Sequence, residues 1–129
     1  MIEQRVVSHF MDGRILKGVT SDFFPNRPAF HMRLADSGER VRIDVDELKG
    51  VFFVKDFEGR PDYSERQDIE RRGYGRRISV SFVDNETIVG HTQGYSPDRR
   101  GFFVAPADPE SNNDRIFVVK SATTDITLH

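Results

Sequence analysis

The sequence predicts an all-β protein made of two tandem five-stranded small barrels related by internal duplication. A fifteen-residue stretch occurs twice, as GVTSDFFPNRPAFHM at 18–32 and as GHTQGYSPDRRGFFV at 90–104. Repetition at a fixed offset indicates a duplicated structural unit. Around each copy, short segments alternate apolar and polar residues with the two-residue period of a half-buried strand. The positions identical in the two copies are Gly18/Gly90, Thr20/Thr92, Pro25/Pro97, Arg27/Arg99 and Phe30/Phe102.

The first unit has turn signals where a small barrel needs them. Asp12-Gly13 lies between two apolar runs and predicts a type I′ hairpin turn. Gly18, inside the second strand, indicates a sharp bend such as a barrel corner. VFFV at 51–54 is apolar on both faces, which predicts a strand covered on both sides. The predicted strands are 5–11, 14–20, 29–34, 40–45 and 51–54, with one helical turn over 46–49.

The second unit repeats this pattern after a polar segment. Asp84-Asn85 takes the hairpin-turn position and Gly90 the bend. The segment between the units is charged, and we expect a short helix over 65–72 with Ser64 as its N-cap. The predicted strands are 77–83, 86–95, 101–106, 115–119 and 125–129. The predicted organisation is an N-terminal barrel over 1–56, a linker over 57–76 and a C-terminal barrel over 77–129.

Composition excludes several functional classes. The chain has 129 residues, a formal net charge of −2 and no cysteine. Disulfides, thiolate catalysis and cysteine-based metal sites are therefore excluded. A mildly acidic chain lacks the overall attraction to phosphates that drives non-specific nucleic-acid binding. The N-terminus does not read as a signal peptide and no apolar run approaches membrane-spanning length, so we expect a cytoplasmic protein without a membrane partner.

The strand order carries a resemblance to known folds. A hairpin, a bent strand, a third strand and two strands joined by one helical turn resemble the SH3-like and Sm-like small barrels, which host unrelated functions. The stretch SPDRRGFFVAPADPESNNDRIFVVKSA resembles an uncharacterised bacterial family of short β-rich proteins. That resemblance implies no particular activity.

An arginine cluster is the first candidate site. It consists of Arg71, Arg72, Arg76 and Arg77, with Tyr74 inside it. Arginine binds phosphate through two parallel hydrogen bonds. The spacing of Arg72 and Arg76 resembles the RxxxR motif of PilZ domains, which implies binding of cyclic di-GMP. The second PilZ motif is matched only in part around Ser96, where glycine replaces the expected acid or amide.

Three further residues near the partial second motif are candidate ligand residues: Ser96, Arg99 and Arg100. The arginine cluster also has an alternative, structural role. In that alternative, the linker is solvated and its arginines pair with Glu65, Asp68 and Glu70.

The repeated loop is the second candidate site. Arg27 and Arg99 lie at equivalent positions, and Phe24 and Tyr95 lie nearby. These residues fit a loop that contacts a protein partner, but Arg27 and Arg99 also fit a structural role that holds each loop to its barrel. Sm-like barrels bind single-stranded RNA with such aromatic and basic loop residues, here including Phe23, so RNA is a third hypothesis.

Catalysis has little support. The four histidines have no metal-ligand spacing, and His31 and His91 are expected to face solvent. We therefore predict no enzymatic activity, no cofactor and no metal site. The leading hypothesis is a non-enzymatic adaptor in bacterial regulation that contacts a protein partner. Cyclic di-GMP binding is the alternative, and RNA binding ranks third.

Overall fold

A computed structural model describes residues 2–129. It contains ten antiparallel strands in one open sheet, and 3₁₀ turns at Val45–Glu47 and Lys120–Ala122. The all-β class is confirmed, and the arrangement as two tandem five-stranded barrels stays a prediction. The strands are β1 (Gln4–Phe10), β2 (Ile15–Thr20), β3 (Ala29–Leu34), β4 (Arg40–Asp44), β5 (Leu48–Val54), β6 (Arg76–Phe82), β7 (Thr87–Thr92), β8 (Gly101–Pro106), β9 (Asn113–Val119) and β10 (Thr123–Leu128).

The sheet order shows how the halves join. It runs β10-β6-β7-β8-β9-β5-β1-β2-β3-β4. Each half therefore has the same internal order, with its fifth strand beside its first. The junction is the antiparallel pair β5·β9, in which Gly50 lies opposite Val118 and Phe53 opposite Arg115. The backbone hydrogen bonds of a sheet thus continue across the two copies.

The two hairpins confirm the predicted equivalence of the copies. Gly13 has φ 93° and Asn85 has φ 72°, so both turns use the left-handed region at one residue. Asp12 does not have a positive φ, so the predicted type I′ turn is wrong. Glycine enters that region without a steric penalty, and asparagine tolerates it better than most residues. The flanking hydrogen bonds also match: Phe10 N–H donates to Arg14 O at 2.9 Å, and Phe82 N–H donates to Glu86 O at 2.8 Å.

Glycine at the two bends is required by the close approach of a neighbouring strand. A Cβ on Gly18 would lie 2.3 Å from the carbonyl oxygen of Arg33, and one on Gly90 would lie 2.1 Å from that of Ala105. The obstructing atoms belong to the backbone and cannot rotate away. The bend predicted at Gly18 therefore lies where β2 pairs with β3, and the bend predicted at Gly90 lies where β7 pairs with β8.

Gly90→Ala is expected to destabilise the fold, because the new methyl group would overlap the Ala105 carbonyl. We expect a loss of about 1–3 kcal/mol, as for overpacked interiors. Gly94→Ala is the matched control, since a Cβ there meets nothing within 4 Å. Thermal unfolding of both variants checks the prediction, and equal melting temperatures would contradict it.

Strand β5 lies between two hydrophobic cores. Val51 and Phe53 enter one core with Phe30 and Met32, whereas Phe52 and Val54 enter the other with β6 to β9. Strand β9 alternates in the same way. The doubly covered strand predicted from VFFV is confirmed. Since both cores draw on both halves, the proposed boundaries at 56 and 77 remain a prediction about sequence organisation.

The connection between β5 and β6 contains no helix, so the helix predicted over 65–72 with Ser64 as its cap is wrong. The carboxylate of Asp108, in the β8–β9 connection, accepts hydrogen bonds from the Tyr63 hydroxyl and from the Arg66 backbone N–H, the latter at 2.9 Å. These tertiary bonds attach the segment to the β8–β9 connection. Within residues 2–129, no helix is long and apolar enough to span a membrane.

The Asp108 contacts predict how the connection responds to pH. Bonds from Arg66 N–H and the Tyr63 hydroxyl lower the pKa of Asp108 to about 2 from 3.8, and Asp108 raises the pKa of Tyr63 to about 12. A lowered carboxyl pKa adds stability above its ordinary pKa, and this stability is lost as the pH falls through the folded value. We therefore expect the stability that the Asp108 bonds give to the connection to fall as the pH drops from about 4 to about 2.

Asp108→Asn is expected to expose the connection to protease at neutral pH, because the amide lacks the charge that holds both donors. Limited proteolysis followed by mass spectrometry would locate the cuts within 56–75. Asp98→Asn, on an exposed loop, is the control. Identical digestion of the Asp108 variant and the wild type would contradict the prediction.

Candidate functional site

The two copies of the repeated loop lie side by side. We call residues 21–28 and 93–100 the paired loops. Pro25 and Asn26 of the first loop and Asp98, Arg99 and Arg100 of the second line one shared cleft. A duplicated sequence element has thus been brought to a single place on the surface.

The paired loops have the same backbone turn. Arg27 N–H donates to Phe24 O at 3.1 Å, and Arg99 N–H donates to Ser96 O at 3.3 Å. The predicted candidate Ser96 is half-buried within its turn. The two turns place Arg27 and Arg99 at matching exposed positions.

An aromatic pair anchors each loop to the sheet. Phe23 meets Phe30 edge-on with ring centroids 5.1 Å apart, and Tyr95 meets Phe102 edge-on at 5.0 Å. Edge-to-face pairs add stability beyond their buried area. Phe23 also packs against Phe117 of β9. The candidate Tyr95 therefore packs on the sheet, and both loops are held in place.

Phe24 and Arg27 are the exposed pair of the first loop. The Phe24 side chain is 38% exposed, and the Arg27 guanidinium lies 4.4 Å from its ring centroid. In the second loop, Arg100 instead forms a salt bridge with Asp46 at 3.1 Å. Arg100 therefore fastens its loop to the first half, whereas Phe24 and Arg27 remain on the surface.

The predicted arginine cluster divides into two groups. Arg71 lies 3.8 Å from the Tyr74 ring centroid and donates to Pro106 O at 3.0 Å. Arg77 donates to the carbonyls of Ile69 and Gln67. These two arginines hold the connection in place. Arg72 and Arg76 are exposed. The predicted ion pairing of the segment involves a different arginine, Arg66, whose Nη2 lies 3.3 Å from Asp68.

An open groove of about 540 Å³ adjoins the paired loops. We call it the β8 groove, since Gly101, Phe102, Phe103 and Ala105 of β8 form much of it. Pro25 and Arg99 of the paired loops border it. Its other lining residues are Gly73, Tyr74, His91, Gln93, Gly94, Asp114 and Arg115.

His91 lines the β8 groove and is buried, so its predicted solvent exposure is wrong. It is 2% exposed, and the Arg71 backbone N–H donates to its Nε2 at 3.4 Å. Burial and the nearby Arg77 lower the pKa of His91, so the ring is neutral at pH 7. A neutral ring that accepts at Nε2 carries its proton on Nδ1. Nδ1 is buried and has no hydrogen-bond partner among residues 2–129.

Arg115 supplies positive charge beside aromatic rings. Its guanidinium lies 4.4 Å from the centroid of Phe53 and 4.2 Å from that of Phe103. Burial lowers the pKa of Arg115, but arginine remains protonated at physiological pH. The groove thus places a cation beside aromatic side chains.

The first half has a cavity of about 320 Å³ at the equivalent place, but polar side chains satisfy one another there. Asp22 accepts from the His31 backbone N–H and lies 2.8 Å from His31 Nδ1. Arg33 pairs with Glu3 at 2.8 Å. The two cavities share equivalent lining positions. Written as first half/second half, they are Val19/His91, Ser21/Gln93, Asp22/Gly94, His31/Phe103 and Arg33/Ala105.

Divergence between the copies therefore opens the β8 groove. The second half has Gly94 at the position of Asp22 and Phe103 at that of His31, so it lacks the hydrogen bond between these side chains. Sequence reasoning missed His91, Phe103 and Arg115 because their positions depend on contacts between residues far apart in the chain. The signal that could have found the groove is the pair of substitutions Asp22/Gly94 and His31/Phe103.

The comparisons identify a family without supplying an activity. The model of a family of unknown function, DUF6982, matches residues 2–129, so the chain belongs to that family. No curated protein and no solved structure matches the chain significantly.

Proposed function

For this member of a family of unknown function, we propose a non-enzymatic adaptor in cytoplasmic bacterial regulation that contacts a protein partner through the paired loops. The observation that carries the proposal is the convergence of both repeated loops on one cleft, with Phe24 and Arg27 exposed beside it. We also interpret each half of the sheet as an SH3-like or Sm-like small barrel, because its strand order and its 3₁₀ turn before the fifth strand follow that pattern.

The anchoring of the loops favours recognition of a protein. Phe23 and Tyr95 hold the loops against the sheet, so little ordering is needed on binding. Aromatic and arginine side chains are typical of binding hot spots. Phe24 and Arg27 supply such a pair on a pre-organised surface, and this favours the loop face over the polar edge strands β4 and β10.

Site-specific photo-crosslinking tests the adaptor proposal. A crosslinking amino acid at Phe24 is expected to trap a defined partner, whereas one at Val83, an exposed residue of the β6–β7 turn, is not. Arg27→Ala should reduce the crosslinked product at least about tenfold, as expected for loss of about 1.4 kcal/mol at a hot spot. Equal yields from both positions, or yields unaffected by Arg27→Ala, would reject the proposal.

Cyclic di-GMP binding is the second candidate, favoured by the exposure of Arg72 and Arg76 beside the structurally engaged Arg71 and Arg77. Calorimetry is expected to show binding with a Kd below about 10 µM. The double substitution Arg72→Ala/Arg76→Ala should abolish it, and Arg42→Ala, on exposed strand β4, should not. The absence of heat for the wild type would eliminate this candidate.

A further inference from the structure

We propose that strand β4 is a self-association edge, through which two copies of the chain form a closed antiparallel dimer. In this dimer the β4 strands of the two copies pair across a two-fold axis, with Arg42 opposite Arg42 of the second copy. The two open sheets would then continue into one. This surface is separate from the paired loops, and it does not use Arg72 or Arg76.

The backbone of β4 has free hydrogen-bonding groups along its outer side. Among residues 2–129, β4 is the last strand of the sheet and pairs with β3 alone. Just beyond β4, Val45 N–H donates to Pro28 O at 2.9 Å and therefore faces the β3 side. Successive residues of a strand direct their backbone groups to opposite sides, so those of Arg40, Arg42 and Asp44 point away from β3. Such a row of donors and acceptors is a template for a further strand.

The side chains of β4 are complementary to those of a second copy. Pairing all five residues of the strand places Arg40 opposite Asp44 of the second copy, and Asp44 opposite Arg40 of the second copy. Opposite charges that face each other across two strands are stabilising. On the other face of the sheet, Val41 would lie opposite Ile43 of the second copy. Because a two-fold axis repeats every contact, one edge supplies both sides of a closed interface.

The side chains that would meet are available on a single chain. Arg40 and Asp44 are exposed, and Val41 is half-buried at the end of the first core. Arg40 takes part in no salt bridge among the described residues. Asp44 Oδ1 accepts from Arg42 Nε at 3.1 Å. This bond partly neutralises each Arg42, which offsets the like charges that meet at the axis.

The other free edge of the sheet, β10, fits a second copy less well. Asp125 is the one charged residue of β10, so two β10 strands would bring no opposite charges together. Head-to-tail pairing of β10 with β4 would repeat the junction β5·β9 and put Asp125 in the place of Gly50. A Cβ on Gly50 would lie 2.9 Å from the Phe117 carbonyl oxygen, so that junction favours glycine. The closed β4 dimer is therefore the favoured pairing.

The small size of the interface predicts a moderate affinity. Three hydrogen-bonded residue pairs would contribute about six backbone hydrogen bonds, two from each pair. A five-residue edge buries less than the roughly 1,600 Å² of a standard protein interface. We therefore expect reversible dimerisation, with a Kd below about 100 µM.

Sedimentation velocity of the full chain over a concentration series tests the dimer. Arg40→Asp would place carboxylates opposite each other at both symmetric positions, and Asp44→Arg would do the same with guanidinium groups. Each single substitution is expected to weaken dimerisation at least about tenfold. Asp125→Arg, a charge reversal on the other free edge, is the matched control and should leave the Kd unchanged.

Exchange of the two charges separates strand pairing from misfolding. The double substitution Arg40→Asp/Asp44→Arg restores opposite charges at both positions and should restore dimerisation. An equimolar mixture of the two single variants should form a heterodimer, because each reversed side chain then meets a complementary one. A variant that had failed to fold could not be rescued by mixing.

Three results would overturn the inference. The first is association of the wild type that is absent or weaker than about 100 µM. The second is dimerisation that survives both single substitutions on β4, which would place the contact elsewhere. The third is loss of the dimer in the single variants without recovery in either the double variant or the mixture. Because Phe24 lies outside β4, the crosslinking result at Phe24 stands or falls independently.

Discussion

Phe117→Ala is expected to lower the free energy of unfolding by about 3–5 kcal/mol, the usual cost of deleting a fully buried phenylalanine ring. Phe117 is 0% exposed, and its ring lies 5.1 Å from Phe23 and 5.2 Å from Phe103. It belongs to the second half but packs in the core of the first. The substitution would therefore loosen the contact between the halves as well as create a cavity.

Urea unfolding measures this effect, with Ile15→Ala as the control. Ile15 is 50% exposed, and surface substitutions usually change stability by less than about 0.5 kcal/mol. The Phe117 variant should show a lower midpoint with a similar slope. A loss below about 1 kcal/mol would show that β9 does not support the first core as the structure indicates.

Lys49→Ala is expected to lower the free energy of unfolding by about 2–3 kcal/mol, since removing one partner of a buried ion pair is strongly destabilising. Lys49 is 7% exposed; its Nζ lies 2.7 Å from Asp84 Oδ2 and also bonds to Glu86. Its ammonium lies over the Phe82 ring at 4.8 Å. This loss is smaller than is usual for a broken buried ion pair, because the carboxylates of Asp84 and Glu86 are half-exposed and become hydrated when Lys49 is removed.

The pH dependence of Lys49→Ala separates charge from packing. Burial alone would lower the pKa of Lys49, but its bonds to Asp84 and Glu86 raise it; the bond from Lys49 lowers the pKa of Asp84. The stabilising charge interaction is therefore present at neutral pH. It is lost as the pH falls below the ordinary pKa of 3.8 for aspartate.

Denaturant curves at pH 7 and pH 3 check this prediction for the wild type and the Lys49→Ala variant. The difference in the free energy of unfolding between the wild type and the variant should be smaller at pH 3 than at pH 7. Lys49→Met retains much of the side-chain volume and should lose less stability than Lys49→Ala. A difference that is the same at both pH values would assign the effect to packing alone.

The elements specified by local chemistry could be predicted from the sequence. Alternating side chains mark the strands, since successive residues of a strand face opposite sides. Gly13 and Asn85 mark equivalent hairpin turns because both tolerate positive φ. The comparison of 18–32 with 90–104 identified Gly18 and Gly90 as equivalent bends. The clashes that a Cβ would make at these two positions explain why both copies have glycine there.

The candidate site depended on contacts that no local pattern reveals. His91 lies on a strand whose sequence predicted exposure, yet the connection before β6 covers it and Arg71 N–H bonds to its ring. The helix predicted over 65–72 fails for a related reason, because Asp108 binds Tyr63 and Arg66 from a distant part of the chain. Tertiary hydrogen bonds outweighed the local helix signal in this segment.

By itself, the sequence determined the all-β class, the ten strand positions and the duplication, because these follow from side-chain alternation and turn chemistry within a few residues. The tertiary structure alone decided that β5 pairs with β9, that both cores draw on both halves, and that the paired loops adjoin an open groove. The physical reason is that strand pairing between the copies buries apolar faces far apart in the chain. The choice of partner strand therefore depends on the packing of the whole sheet.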